Sequence, residues 1–251
     1  MIYCIASQKG GNSKTTTSLA LWAGLIQYGH EVLLVDLDPQ GNATYAAGGN
    51  SNGPTSREIL TKEATAQEAI QQTPTGDIIP ASKGLAGADI YLKGTDTEYR
   101  LKEALAPIKG KYDDIIIDTP PALGILTANA MTAADRLVIT AQADVFSLQG
   151  IEELARTLGP IRKYTNPGLE ISGVLLTRYN ARSILTREVT DLADLLAQHL
   201  GTRVFDVKIR EGIAVKESQL KRENLFSYAP KSNPAQDYQQ FIGELIKEGS
   251  I

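Results

Sequence analysis

The residues best suited to chemistry lie near the start of the chain, in "SQKGGNSKTTT", Ser7 to Thr17. A glycine pair, Gly10 and Gly11, precedes Lys14, Thr15 and Thr16 where an apolar run gives way to a helical pattern. A strand, a glycine turn and a helix start together expose successive backbone N–H groups to an anion, and phosphate suits that arrangement. Lys14 would reach the β- and γ-phosphates of a nucleotide, and the Thr15 hydroxyl would ligate Mg²⁺. The usual phosphate loop calls for glycine where this chain has Gln8 and Ser13. A helix that merely begins with Ser13 as its N-cap would account for Ser13 and Thr15, but not for Lys9, the glycine pair and Lys14 together.

Two acidic stretches add to this. In "VLLVDLDPQGN", Asp36 and Asp38 are two residues apart and so share one side of a strand, although "DPQGN" is also turn chemistry. Asp118 ends the apolar run "DDIIID", which is the placement that holds Mg²⁺ through water.

The elements that must position these groups are short, continuously apolar, β-branched runs alternating with helical patterns. They include "IYCIAS", "EVLLVDLD", "YDDIIIDTPP", "DRLVITAQ" and "EISGVLLTRY". This alternation predicts an α/β fold with a doubly wound, mainly parallel sheet and helices on both faces. In such sheets sites form at the carboxyl ends of strands, where the phosphate loop, Asp36–Asp38, Asp118 and Thr177–Arg182 all fall. The stretch up to about Pro80 reads as polar helix, with a further helix near Glu98 to Leu105. One domain covering 1–251 is expected, closed by a C-terminal helix at about 234–248.

With 251 residues and 42% hydrophobic content the chain can bury a large core. Its one cysteine, Cys4, excludes a disulfide framework and any multi-cysteine metal or iron–sulfur site within one chain. No apolar run reaches the ~20 residues of a membrane-spanning helix, and no basic leader precedes the first strand, so a soluble, cytoplasmic protein is expected. The net charge is −4, yet Arg156 to Arg222 holds twelve Lys/Arg against seven Asp/Glu, enough to hold a polyanion locally.

Taken in order, "KGGNSKTTT", "VLLVDLDPQGN", "YDDIIIDTPP" and "LTANAMTAADRLVITAQ" resemble the ParA/MinD group of deviant Walker ATPases, most closely the small Soj-like ParA partition proteins. The resemblance runs to roughly Ser218 and implies a deviant P-loop NTPase fold. It implies ATP and Mg²⁺ as cofactors, with nucleotide contacts from Lys9, Gly10, Gly11, Asn12, Ser13, Lys14, Thr15 and Thr16. Thr177, Arg178, Lys208 and Arg210 would border the adenine. Lys9 matches the family's early lysine, which reaches across a dimer interface to the partner's ATP and makes dimerisation a condition for catalysis. Lys9, Lys14 and Asp38 are thus the implied catalytic residues, with Asp38 orienting the attacking water. Thr15, Asp38 and Asp118 are the implied metal group, and Asp36 is structural. Serine at 13 loses glycine's conformational freedom and is expected to change affinity without abolishing binding. Asn12 stands where the family often has a small apolar residue near the dimer contact.

The resemblance further implies a homodimer when ATP is bound, non-specific DNA binding through phosphate contacts, and a ParB-like protein that stimulates hydrolysis. Arg182 matches a DNA-contacting position. Glu211 stands where a second such arginine is expected, so Arg210 and Lys216 are assigned in its place, with Arg187 and Lys221 on the same basic segment. An ordinary solvated helix face would also explain Arg187 and Lys221. The location implied is cytoplasmic and nucleoid-associated. The C-terminal helix carries Asp237, Glu244 and Glu248 against Lys247, which suits packing on the domain rather than the membrane docking of the MinD branch. The alternatives are a MinD-like or cargo-positioning ATPase on a membrane or protein scaffold, a small-molecule ligase, disfavoured by Lys9, and a nucleotide-binding module that does not hydrolyse because of Ser13.

Overall fold

The computed structural model describes residues 1–181 and 184–249. Its sheet has eight strands: β1 Ile2–Ala6, β2 Val32–Asp36, β3 Gln71–Gln72, β4 Asp77–Ile79, β5 Asp114–Asp118, β6 Arg136–Gln142, β7 Glu170–Tyr179 and β8 Ile209–Arg210. The spatial order is β3-β4-β2-β5-β1-β6-β7-β8. All neighbours pair in parallel except β3 with β4. The helices are α1 Lys14–Gln27, α2 Asn42–Ala47, α3 Ser56–Thr61, α4 Ala66–Ala69, α5 Ala88–Tyr91, α6 Arg100–Leu105 and α7 Ile125–Ala133. They continue with α8 Val145–Pro160, α9 Ile184–His199, α10 Ile213–Lys221, α11 Leu225–Tyr228 and α12 Asn233–Gly249.

The central strands are apolar throughout because both faces of the sheet are covered. Cys4, Leu33, Ile117 and Leu137 feed one core, while Tyr3, Ile5, Leu34, Ile116 and Val138 feed the other, an alternation set by the two-residue period of a strand. Burial, helped by the negative charge of Asp118, pushes the Cys4 thiol well above its usual range, so it is an unreactive core side chain. Helix α12 closes the second face. Tyr238, Phe241, Ile242 and Leu245 are buried, and Phe241 packs edge-on to Phe205 at 4.9 Å.

Two details differ from the pattern reading. The segment before Pro80 contains the α3 and α4 helices but then a hairpin, β3 and β4, whose three-residue Asp77–Ile79 strand is too short to show a period. The helix expected from Glu98 begins as a 3₁₀ turn at Thr97–Tyr99 and becomes α-helical only at Arg100.

Strand order decides the site. β2, β5 and β1 are adjacent, so the loops leaving their carboxyl ends lie side by side. Asp36 pairs in register with Asp118, and Asp118 with Ile5.

Candidate functional site

The phosphate loop runs from Ser7 at the end of β1 to Ser13 at the start of α1. Gly11 has φ +86° and Ser13 has φ 62°, ψ 23°, so both adopt the left-handed conformation. Ser13 makes no side-chain cap, which removes the plain N-cap explanation of the loop. What remains is a row of N–H groups at the positive end of a 14-residue helix.

Lys14 is 6% exposed, and its Nζ donates to the carbonyl of Lys9 at 3.3 Å. Desolvation pulls its ammonium below the usual lysine range, while the nearby Asp118 and Asp38 carboxylates hold it up. Behind it, Thr15 Oγ1 donates to Asp118 Oδ2 and Ser18 Oγ to Asp118 Oδ1, each at 2.8 Å. Asp118 and Asp36 are both fully buried. Burial raises the Asp118 carboxyl above the ordinary range and the Asp36 charge adds to this, while Ser18, Thr15 and Lys14 oppose it. Burial raises Asp36 as well, against three hydrogen bonds that it accepts: from Asp38 N–H at 3.0 Å, Thr44 N–H at 2.8 Å and Thr44 Oγ1 at 2.7 Å. Asp36 therefore builds the turn that aims Asp38 and leads into α2. Asp38 accepts one bond, from Gln40 N–H, and borders open space.

That space is a cleft of about 720 Å³. Gly10, Gly11, Ser13, Lys14, Thr15, Thr16 and Asp38 line its floor and near wall; Arg178, Arg210 and Lys216 line the far wall. Across its mouth Arg178 Nη2 meets Glu211 Oε1 at 2.8 Å. Arg210 is held by Asp237 of α12 through Nε and Nη2, at 2.9 and 2.6 Å, so this arginine fixes the cleft wall and is already engaged within the chain.

Several predicted residues do not reach the cleft. Lys9 turns to Asp144, with Nζ 3.2 Å from Oδ1 and 5.1 Å from the centre of the exposed Phe146 ring. Asn12 and Thr177 are buried beneath the loop, and Lys208 Nζ donates to the carbonyls of Phe205 and Asp206. Arg187 is exposed on α9, and Lys221 is exposed on α10, the helix that also carries Lys216. Arg182 lies outside the described residues.

The sequence reading overlooked Ser18, Asp144 and Asp237. Ser18 was recoverable, being one helical turn beyond Lys14. Asp144 begins a capping pattern, its carboxylate accepting from Ser147 N–H at 2.9 Å, but nothing local connects it to Lys9.

Comparison with known proteins agrees with this geometry. A family profile for an AAA domain matches residues 1–171. The Soj sporulation initiation inhibitor protein of Bacillus subtilis is 39% identical over 99% of both chains. The chromosome partitioning protein ParA of Caulobacter vibrioides is 38% identical over 98% of this chain and 93% of its own. The chain belongs to the ParA/MinD family of deviant Walker ATPases. Within the family it is a ParA-like partition ATPase, and the eight-stranded, mostly parallel sheet is the family fold. A Mycobacterium smegmatis structure described as cobyrinic acid a,c-diamide synthase with bound ADP and magnesium superposes with TM-score 0.85. It is 33% identical, covering 99% of this chain and 95% of its own. In this ParA-like chain, the family's early lysine is Lys9, stowed against Asp144, and the variant loop glycine is replaced by a left-handed serine.

Proposed function

We propose that this chain hydrolyses MgATP as a switch that attaches it to DNA, with ATP joining two copies and a ParB-like protein stimulating hydrolysis and release. The observation that carries this reading is the shared cleft: Lys14, Thr15 and Asp38 on one wall face Arg178, Arg210 and Lys216 of the basic segment on the other.

The oxygen donors suit Mg²⁺, a hard cation that keeps several waters and is held with substrate phosphates. The Thr15 hydroxyl and Asp118 carboxylate would hold it, and Mg²⁺ would neutralise charge developing on the transferred phosphoryl group. The loop N–H groups and Lys14 bind and orient the phosphates. Asp38, with one oxygen fixed by Gln40, orients water with the other. Lys9 leaves Asp144 and adds its charge to the site of a second copy, so rapid hydrolysis requires the dimer. Arg178 and Arg210 border the nucleoside end of the cleft. Lys216, Lys221, Arg187 and Arg182 carry the phosphate contacts to DNA. No helix among the described residues is long and apolar enough to cross a membrane, which favours DNA over a bilayer as the scaffold. The location that follows is the nucleoid.

Co-sedimentation with DNA and with anionic liposomes tests this, using no nucleotide, ADP and ATP with wild type, Lys14→Ala, Lys9→Ala and Arg182→Ala. DNA pelleting is expected only with ATP and only when Lys14, Lys9 and Arg182 are intact. Equal pelleting in every nucleotide state would end the switch reading, and pelleting with liposomes alone would move the chain to the membrane branch. ATP consumption that requires a carboxylic acid and an amide-nitrogen donor would favour the ligase chemistry described for the Mycobacterium relative.

A further inference from the structure

Serine at position 13 has a left-handed backbone that glycine adopts freely and other L-residues adopt at a cost. The residues around it hold both peptide planes that set this conformation. The plane after Ser13 is held by helix α1, since Thr17 N–H donates to the Ser13 carbonyl at 2.8 Å. The plane before it carries the Asn12 carbonyl, which accepts from Thr177 Oγ1 at 3.4 Å. One plane earlier, Gln142 Nε2 donates to the Gly11 carbonyl at 2.8 Å. Asn12 itself is 1% exposed. Its Nδ2 donates to Ser7 Oγ at 2.7 Å, and its Oδ1 accepts from Ser147 Oγ at 3.3 Å.

We infer that Asn12 is a positioning residue that makes serine workable at position 13: its buried amide, clamped between β1, α8 and β7, fixes the peptide that sets φ of Ser13. A strained backbone persists where its surroundings over-determine it, and here they do so from both sides. An apolar side chain at position 12 would leave the Ser7 hydroxyl buried without its partner and let the peptide before Ser13 rotate. Glycine at 13 would not need the clamp. The two positions are therefore coupled, and Asn12 with Ser13 forms an alternative to the usual pairing of a small apolar residue with glycine.

The inference rests on the loop being the phosphate site, and a double-mutant cycle in ADP affinity tests it. Binding of a fluorescent ADP analogue is measured for wild type, Asn12→Val, Ser13→Gly and the double variant, with Lys14→Ala as a check on the site. Asn12→Val is expected to weaken ADP binding about tenfold when Ser13 is present, the scale of a left-handed conformation no longer held in place. In the Ser13→Gly background the same change is expected to cost less than about threefold. Equal losses in the two backgrounds, or no loss with Ser13 present, would overturn the inference. Unchanged binding by Lys14→Ala would instead show that the site reading itself fails. Should Asn12→Val not fold, Thr177→Val removes the hydroxyl that holds the Asn12 carbonyl while keeping the side-chain shape. The same two outcomes then decide: a loss confined to the Ser13 background supports the coupling, and an equal loss in both refutes it.

Discussion

Asp118 has both carboxylate oxygens occupied by hydroxyls of one helix, Thr15 and Ser18, and this gives each hydroxyl a measurable role. Ser18→Ala leaves Oδ1 buried without a donor and is expected to cost about 1–3 kcal/mol of stability, read from urea denaturation. Restored stability with saturating Mg²⁺ and ADP would show that the metal takes over the neutralising role. The Asp36–Asp118 pair also gives a pH dependence. Burial raises Asp36 from 3.8 to about 6 and Asp118 to about 7, so the folded state retains protons that the unfolded chain has released. Between about pH 4 and pH 7 the folded state then binds more protons, and stability falls as pH rises. The urea midpoint of the nucleotide-free protein should decline across that window, and decline less in Asp36→Asn. A flat profile would mean that Lys14 already neutralises the pair.

At the scale of elements, α1 is held between the sheet and α12, and the contact is close. A Cβ added at Gly24 would collide with Ile242 Cδ1 and lie 3.2 Å from Phe226, so Gly24 is present for packing. Gly24→Ala is expected to cost about 1–3 kcal/mol despite alanine's better helix propensity, measured by thermal or urea unfolding. Unchanged or increased stability would show that α12 shifts freely. The same helix carries Asp237, which clamps Arg210, and Tyr238, whose hydroxyl lies 3.0 Å from Thr17 Oγ1 in the helix that begins at the phosphate loop. These contacts explain why an amphipathic C-terminal helix belongs to the domain. Its apolar face forms a core and one of its acids holds the cleft wall.

At the scale of the whole molecule, the Lys9–Asp144 pair sets how readily a second copy can be engaged. The pair is partly exposed and therefore weak. Asp144→Asn keeps the helix cap and removes the charge. It is expected to lower the concentration at which ATP produces dimers, by light scattering, without changing the ADP-bound monomer. Weaker dimerisation would mean that Asp144 positions Lys9 instead of storing it.

The amino-acid sequence by itself determined the inventory of the site, because each member stands at the end of an apolar strand or the start of a helix. Gly10–Thr16, Asp38 and Asp118 could be read that way, and strand adjacency then brings the three segments to one edge. What only the tertiary structure decided are the contacts between positions far apart in the chain: Lys9 with Asp144, Arg210 with Asp237, and Asn12 with Ser147 and Thr177. It likewise turned Lys208 away from the cleft and placed Lys216 on its rim. Local patterns of hydrophobicity and turn residues encode which element a residue belongs to and which face it shares. They carry no information about which distant side chain meets it, because that depends on strand order and on the packing of helices across the sheet.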